Sequence, residues 1–194
     1  MLVASLIRRA GLAALLAAFS SFAPAQAQNA PAVPPSAYEP HSFQAGKATF
    51  IRADIFESDF SEASVISMFL PTEINLKLRP KILALKPGTR IVSNSFAMAD
   101  WKADKTAALS SDAGCDTSWC TALLWSVPAH VAGTHKIPQG ELTLKQQFQM
   151  LSGTLTTEGK TFALEGKVRG EEITFKSGGR EYRGRMNGKS LELR

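Results

Sequence analysis

The sequence predicts an α/β segment followed by an antiparallel β-meander, and three observations support this prediction. A continuous apolar run at 63–70 precedes an amphipathic helical pattern and then a second strand-like run at 89–96. From Glu141 onward, short β-type runs alternate with glycine-containing turn signals. Neither pattern occurs before residue 47, so the predicted folded part comprises residues 47–109 and 110–194.

Residues 1–27 have the features of a secretory signal peptide. Arg8 and Arg9 form a short basic region, an apolar run follows at 10–19, and small residues lead to a cleavage site after Ala27. The apolar run is shorter than the roughly 20 residues that a membrane-spanning helix needs. The sequence therefore predicts a periplasmic or secreted protein without a transmembrane anchor after cleavage, and it leaves the choice between Sec and Tat export open.

Residues 28–46 are predicted to be a disordered tether, because they contain four prolines and no hydrophobic periodicity. Without residues 1–27 the chain carries 20 basic and 17 acidic residues, a net charge of +3. No basic run is interleaved with aromatic side chains, so the sequence gives no indication of nucleic-acid binding.

The α/β segment begins with two predicted strands. The first is expected at 48–56 and contains Asp54 near its end. The second is expected at 63–70 and to be buried on both faces, since it is continuously apolar and includes β-branched residues.

A helix is predicted to open at Pro71 and to end at 86–88, before a third strand at 89–96. Its apolar face is predicted to contain Ile74, Leu78, Ile82 and Leu85, with Glu73, Asn75, Lys77 and Lys81 on the other faces. Pro80 predicts a kink or two short helical pieces. Strand, helix and strand in this order predict a right-handed βαβ unit.

The second half of the chain is predicted to be β-rich. A strand is expected at 120–131, followed by a meander with strands at 141–151, 162–169, 172–177, 181–186 and 190–193. The expected turns are Ser152-Gly153, Glu158-Gly159, Arg169-Gly170, 177–179 and Asn187-Gly188.

The two cysteines, Cys115 and Cys120, allow three interpretations: a local disulfide, free thiols or metal ligands. Export to an oxidising compartment favours the disulfide. A metal site would need further ligands, and none of the three histidines lies near them in sequence. The sequence therefore predicts a disulfide and no metal site.

The string "LPTEINLKLRPKILALKPGTRIVS" at 70–93 carries a family resemblance. With the preceding run from Arg52 and the continuation at 124–155, it resembles bacterial class I S-adenosylmethionine-dependent methyltransferases, in particular exported members with a β-rich tail. The resemblance covers residues 47–194. It implies a partial Rossmann-like fold, S-adenosyl-L-methionine as cofactor and protein lysine as a candidate methyl acceptor.

The resemblance also implies roles for six residues, while the catalytic residues stay unknown. Asp54 would accept a hydrogen bond from the adenine amino group, and Ile55 would pack on the adenine ring. Met68, Phe69, Leu70 and Pro71 would line the methyl-transfer pocket. By their local sequence alone, Asp54 is equally suited to a helix N-cap or turn, and residues 68–71 to ordinary packing at a strand end.

The chain departs from the family pattern on its N-terminal side. The family binds its cofactor with a glycine-rich turn and an acidic residue at the ribose, and residues 28–47 contain neither. In the family's strand order, 3-2-1-4-5, the missing strands separate the third from the fourth, so exposed edges would favour self-association. We therefore predict a truncated or degenerate member, or a gene-assignment error, with S-adenosylmethionine binding that is weak or absent.

The alternative is a non-catalytic exported binding or interaction module built on the meander. Trp119, Trp125 and Tyr182 would present its binding surface, although the same residues are suited to core and rim packing. A hydrolase is not indicated, because the sequence has no G-x-S-x-G elbow. The sequence does not identify a partner.

Overall fold

The structure, a computed structural model, describes residues 48–110, 113–188 and 190–194, together with the backbone of Ser42–Ala45. The predicted signal peptide and most of the predicted tether lie outside this description. The chain divides into two compact units, with the boundary between Asp59 and Phe60. No helix in the described ranges is long and apolar enough to cross a membrane.

The described part of the smaller unit includes a hairpin, formed by β1 (Ser42–Ala45) and β2 (Ala48–Ile51). The strands are antiparallel, with Ser42 opposite Ile51 and Ala45 opposite Ala48. This differs from the predicted tether, because its last residues form a strand.

The prediction of a strand at 48–56 is wrong for the second half of that range. β2 ends at Ile51, because a hydrogen-bonded turn begins at Asp54 and cannot continue an extended ladder. All four residues of β2 are exposed, so the strand lies in a local hairpin and not in a buried sheet.

The larger unit contains a four-stranded mixed sheet and one helix. Its elements are β3 (Val65–Met68), α1 (Thr72–Leu83), β4 (Arg90–Asn94), β5 (Lys105–Ala108) and β6 (Thr121–Ser126). The strand order is β3-β4-β6-β5, in which β3 and β4 are parallel and β6 is antiparallel to both of its neighbours. The predicted βαβ order is confirmed by the parallel pair on either side of α1.

β3 is not buried on both faces as predicted. Ile66 and Met68 are buried, whereas Ser67 between them is exposed. The alternating burial shows that only one face of β3 packs on the core.

α1 corrects two further expectations. It is a single helix through Pro80, which lies in the last turn, where its missing N–H removes only one helical hydrogen bond. Asn75 was predicted on a polar face but is fully buried, because it faces the loop that follows β4. Leu78, Ile82 and Leu85 are buried as predicted, and Ile74 is half-buried.

The antiparallel meander is confirmed and has seven strands. They are β7 (Gly133–Ile137), β8 (Gly140–Gln147), β9 (Met150–Thr157), β10 (Lys160–Arg169), β11 (Glu172–Ser177), β12 (Arg180–Asn187) and β13 (Ser190–Leu193). Each strand pairs with the next in sequence, and the sheet curls until β13 approaches β7. The enclosed face forms an apolar core that includes Leu142, Leu155, Ile173 and Phe175.

The predicted strand at 141–151 is in fact a hairpin, with Phe148 and Gln149 between β8 and β9. Phe148 has a φ of 53°, which sequence rules do not expect of a phenylalanine. Its ring stacks on Trp101, in the segment between β4 and β5, with 5.9 Å between the ring centroids, so this packing favours the turn. Gly153, a predicted turn residue, lies within β9, where a Cβ would collide with the Thr143 carbonyl oxygen.

Candidate functional site at the carboxyl ends of β3 and β4

The parallel strands β3 and β4 end at the same edge of the mixed sheet, since Met68 lies opposite Ser93. The antiparallel strand β6 begins at this edge, where Asn94 pairs with Ala122. β5 also ends here, with Ala108 opposite Thr121. In open α/β sheets ligands bind outside the carboxyl ends of the strands, so this edge is the candidate site.

Three aromatic rings meet at this edge and form what we call the aromatic surface: Phe69, Phe96 and Trp119. Their centroids are 5.5 Å apart for Phe69 and Phe96, 5.4 Å for Phe69 and Trp119, and 5.3 Å for Phe96 and Trp119. Phe69 is 57% exposed and Trp119 is 46% exposed. Rings that contact each other while facing solvent offer an apolar and π-electron-rich surface to a ligand.

The loop after β4 places Phe96 in this surface through a strained turn. Ser95 has a φ of 62°, and the Phe96 N–H donates to the Asn94 carbonyl at 2.8 Å, which closes a three-residue turn. The Phe96 carbonyl accepts from the Ser93 hydroxyl at 2.7 Å and from the Asn75 side-chain amide at 3.3 Å. A strained residue at a strand end is typical of functional loops, because the surrounding contacts must hold it there.

α1 holds the same loop at a second point, one helical turn further along. Arg79 donates to the Met98 carbonyl at 3.1 Å and forms an ion pair with Asp100. The hydrogen bond from Arg79 holds the pKa of the Asp100 carboxyl below its usual value. Asn75 and Arg79 are four residues apart and therefore lie on one face of α1.

The loop that carries Trp119 is closed by a disulfide between Cys115 and Cys120, whose Cα atoms are 5.9 Å apart. The Trp119 N–H donates to the Thr117 hydroxyl at 3.2 Å. The Cys120 carbonyl accepts from the Leu109 N–H at 2.9 Å, which fixes the loop to the end of β5. These contacts limit the positions that the Trp119 ring can adopt.

Comparison with known proteins gives the family context of this site. Residues 36–105 match the family of ANTKMT methyltransferase domains. A protein-lysine N-methyltransferase of Saccharolobus islandicus (strain REY15A) is 47% identical over 57 residues, which are 29% of this chain and 35% of that protein. The βαβ segment is related to methyltransferases. The chain spans about a third of the length of the lysine methyltransferase that it matches.

One solved structure is similar to this chain in sequence. It is an RNA methyltransferase from Salinibacter ruber in complex with S-adenosyl-L-homocysteine, 36% identical over the aligned part. The alignment covers 41% of this chain and 48% of that one, with a TM-score of 0.35.

Asp54 and Ile55, the residues predicted to contact the adenine, belong to the smaller unit of the chain. Asp54 is exposed, and its Oδ1 accepts from the Phe56 N–H at 2.8 Å, while its carbonyl accepts from Ser58. Asp54 therefore acts as a turn residue, the local role that its sequence context also allows.

Of the four residues predicted at the methyl-transfer pocket, two are buried and two are exposed. Met68 and Leu70 are buried in the core of the larger unit, as ordinary strand-end packing requires. Phe69 and Pro71 are exposed at the candidate site. Of these four residues, Phe69 contributes its side chain to the aromatic surface.

Sequence analysis missed several residues that build the site. The sequence pattern does not mark Phe96, predicts Asn75 on a polar face of the helix, and places Trp119 on a surface of the meander. The only sequence signal was the disulfide loop next to Trp119. Trp125 is fully buried and donates from Nε1 to the Trp101 carbonyl, and Tyr182 stacks on Phe175, so both serve packing.

Metal ligation has no candidate within the described ranges. They contain no group of three or more His, Cys, Asp or Glu side chains that could hold a metal ion. His135 contacts the Val131 carbonyl through Nε2 at 2.9 Å, which is a local contact at the start of the meander.

Proposed function

We propose that this chain contributes the acceptor side of an S-adenosylmethionine-dependent methyltransferase site, and that a protein lysine is the methyl acceptor. The observation that carries the proposal is the match of residues 36–105 to methyltransferase domains, which includes β3, α1 and β4. The identity with a protein-lysine N-methyltransferase supports lysine as the acceptor.

Asp54 and Phe69, which lie in different units, each offer a group that suits part of such a cofactor. Asp54 is exposed and Oδ1 accepts one local bond, so its carboxylate retains acceptor positions for an adenine amino group. Phe69 offers an exposed ring at the end of β3. When bound, S-adenosylmethionine supplies an electrophilic methyl group on a sulfonium sulfur. The part of the protein is to orient the acceptor, since methyl transfer depends mainly on positioning.

The binding free energy that a hydrogen bond to Asp54 can contribute is small. One hydrogen bond to Asp54 contributes about 0.5–1.5 kcal/mol. A dissociation constant of about 1 µM requires about 8 kcal/mol. Residues 28–47 contain no glycine-rich turn that would supply the difference. We therefore expect millimolar affinity and no measurable methyl transfer by this chain alone.

Amide NMR titration of the full chain with S-adenosylhomocysteine tests the proposal. We expect the resonances of Ile55 and Phe69 to shift at millimolar ligand, and Asp54→Asn to weaken the response. Glu165→Gln, an exposed acid on the meander and outside the proposed adenine contact, is the matched control. Absence of shifts at both Ile55 and Phe69 would refute the proposal. A micromolar affinity would instead refute the expected weakness and indicate a pocket completed by other residues.

The alternative, a binding module on the meander, is not favoured by a specific observation. Trp125 and Tyr182 serve packing, and Trp119 lies at the mixed sheet. A cavity over β11 and β12 is lined by Arg183, Arg185 and Arg194, of which the first two are paired with Glu181 and Glu171. These pairs reduce the positive charge that an anionic ligand would need.

A further inference from the structure

We propose that the aromatic surface binds the side chain of the acceptor lysine, with Phe69 and Trp119 contacting its methylene stem and its ammonium group. The identity of the ligand as lysine rests on the proposed function. The cationic and apolar character of the ligand follows from the site itself, by three arguments.

The first argument is that the rings of the aromatic surface have no cation of their own. Arg79 lies 5.1 Å from the centroid of Phe148, and Lys81 lies 4.9 Å from that of Phe60. In the part of the chain that the structure describes, no lysine or arginine lies over Phe69, Phe96 or Trp119. Aromatic faces attract ammonium groups, so these exposed rings are available to a cation from outside.

The second argument is the charge around the aromatic surface. The strand termini at this edge, Met68, Asn94, Ala108 and Thr121, are all uncharged. The nearest charges along the chain are acidic: Glu73 follows Phe69 by four residues, and Asp116 precedes Trp119 by three. Both side chains are exposed. An uncharged apolar surface that is flanked in sequence by acidic residues complements a cationic side chain with an apolar stem.

The third argument is that the surface is ordered before a ligand binds. The disulfide fixes the loop of Trp119, and Asn75 and Ser93 hold the carbonyl of Phe96. A preorganised surface loses less conformational entropy on binding, so even a small contact area yields measurable affinity.

Tryptophan fluorescence can report on this site alone. Trp101 and Trp125 are fully buried, whereas Trp119 is 46% exposed, so iodide quenching in the full chain reports on Trp119. The probe is an end-capped peptide with one lysine, compared with the same peptide carrying Nε-acetyllysine or norleucine. We expect the lysine peptide to protect Trp119 from iodide and the two neutral peptides to give no protection.

Two variants distinguish binding through the aromatic ring from non-specific hydrophobic binding. Phe69→Leu keeps an apolar side chain at an exposed position and leaves Trp119 as reporter; we expect about a two- to fivefold loss of affinity for the lysine peptide. Leu109→Ala, at the same edge and 61% exposed, is the matched control and should leave the affinity unchanged. Reduction of the disulfide should increase iodide quenching and weaken peptide binding, with circular dichroism checking that the fold persists.

Equal protection by the lysine and norleucine peptides, or no protection by either, would refute the inference. The outcomes also separate the two proposals. If S-adenosylhomocysteine shifts Ile55 and Phe69 but lysine peptide does not protect Trp119, the proposed function stands and this inference fails. If lysine peptide protects Trp119 while S-adenosylhomocysteine has no effect, the surface is a cation-binding site and the proposed cofactor role fails.

Discussion

Asn75 connects α1 to the loop that carries Phe96, and it does so from a fully buried position. Its amide donates to the carbonyls of Phe96 and Ala97 at 3.3 and 3.4 Å. Its Oδ1 is buried and has no hydrogen-bond partner among the described residues. A polar group in this position is tolerated because a neighbouring loop would otherwise leave its own carbonyls unsatisfied.

We predict that Asn75→Leu lowers the free energy of unfolding by about 1–3 kcal/mol, because it removes the amide donor to the part-buried carbonyls of Phe96 and Ala97. Urea denaturation of both proteins measures the difference. Lys77→Ala on the exposed side of the same helix is the control and should change stability by less than about 0.5 kcal/mol. Equal effects of the two substitutions would show that Ser93 and Arg79 hold the loop without Asn75.

The ion pair between Arg79 and Asp100 is the second residue-scale link between α1 and this loop. Arg79 lowers the pKa of Asp100 in the folded chain. The pair therefore stabilises the fold at pH values above 3.8, the ordinary pKa of an aspartate. That contribution is lost as the pH falls through the lowered pKa. We predict that Asp100→Asn reduces stability at pH 7 but not at a pH below the folded pKa, as thermal denaturation at both pH values would show.

At the scale of elements, the two β-systems differ in how they are supported. β2 is exposed along its whole length in a two-stranded hairpin, and β3 is the edge of a four-stranded sheet. The meander has a continuous buried core, and every pairing in it is local in sequence. Isolated hairpins are marginal in water, whereas a sheet with a buried face is stable.

We predict from this difference that amides of residues 141–193 exchange with solvent more slowly than those of residues 48–70. Hydrogen exchange followed by mass spectrometry or NMR measures both regions in one sample. Faster exchange in the meander would mean that β2 and β3 receive support from a source outside the described residues.

At the scale of the whole molecule, the mixed sheet and the meander form one unit. Trp101, which follows β4, stacks on Phe148, and the Gln149 side chain donates to the Lys102 carbonyl at 2.7 Å. The meander therefore supports the chain segments that lead away from the candidate site, and its loss would expose Trp101.

Export is the whole-molecule prediction. We expect residues 1–27 to be removed and the mature protein to begin at Gln28, because a basic and then an apolar segment precede a small-residue cleavage site. A disulfide at Cys115 and Cys120 is consistent with an oxidising compartment. Intact mass of the protein from its native host measures this, and retention of Met1 to Ala27 would contradict it.

The sequence by itself determined the features that depend on neighbouring residues. The helix at Thr72–Leu83 follows from a 3.6-residue apolar period, and the hairpin turn at 158–159 from Gly159, which accepts a positive φ, here 73°. The pairing of Cys115 with Cys120 requires only a short loop. Each of these is a local choice of backbone conformation, which the chain makes without distant contacts.

Only the tertiary structure decided the turn at Phe148, the burial of Asn75 and the aromatic surface. Phe148 takes a left-handed conformation because its ring stacks on Trp101, and Asn75 is buried because it meets the loop after β4. Phe69, Phe96 and Trp119 are more than twenty residues apart in sequence and meet because three strand termini share one edge. Contacts of this kind depend on strand order and register, which local patterns do not specify.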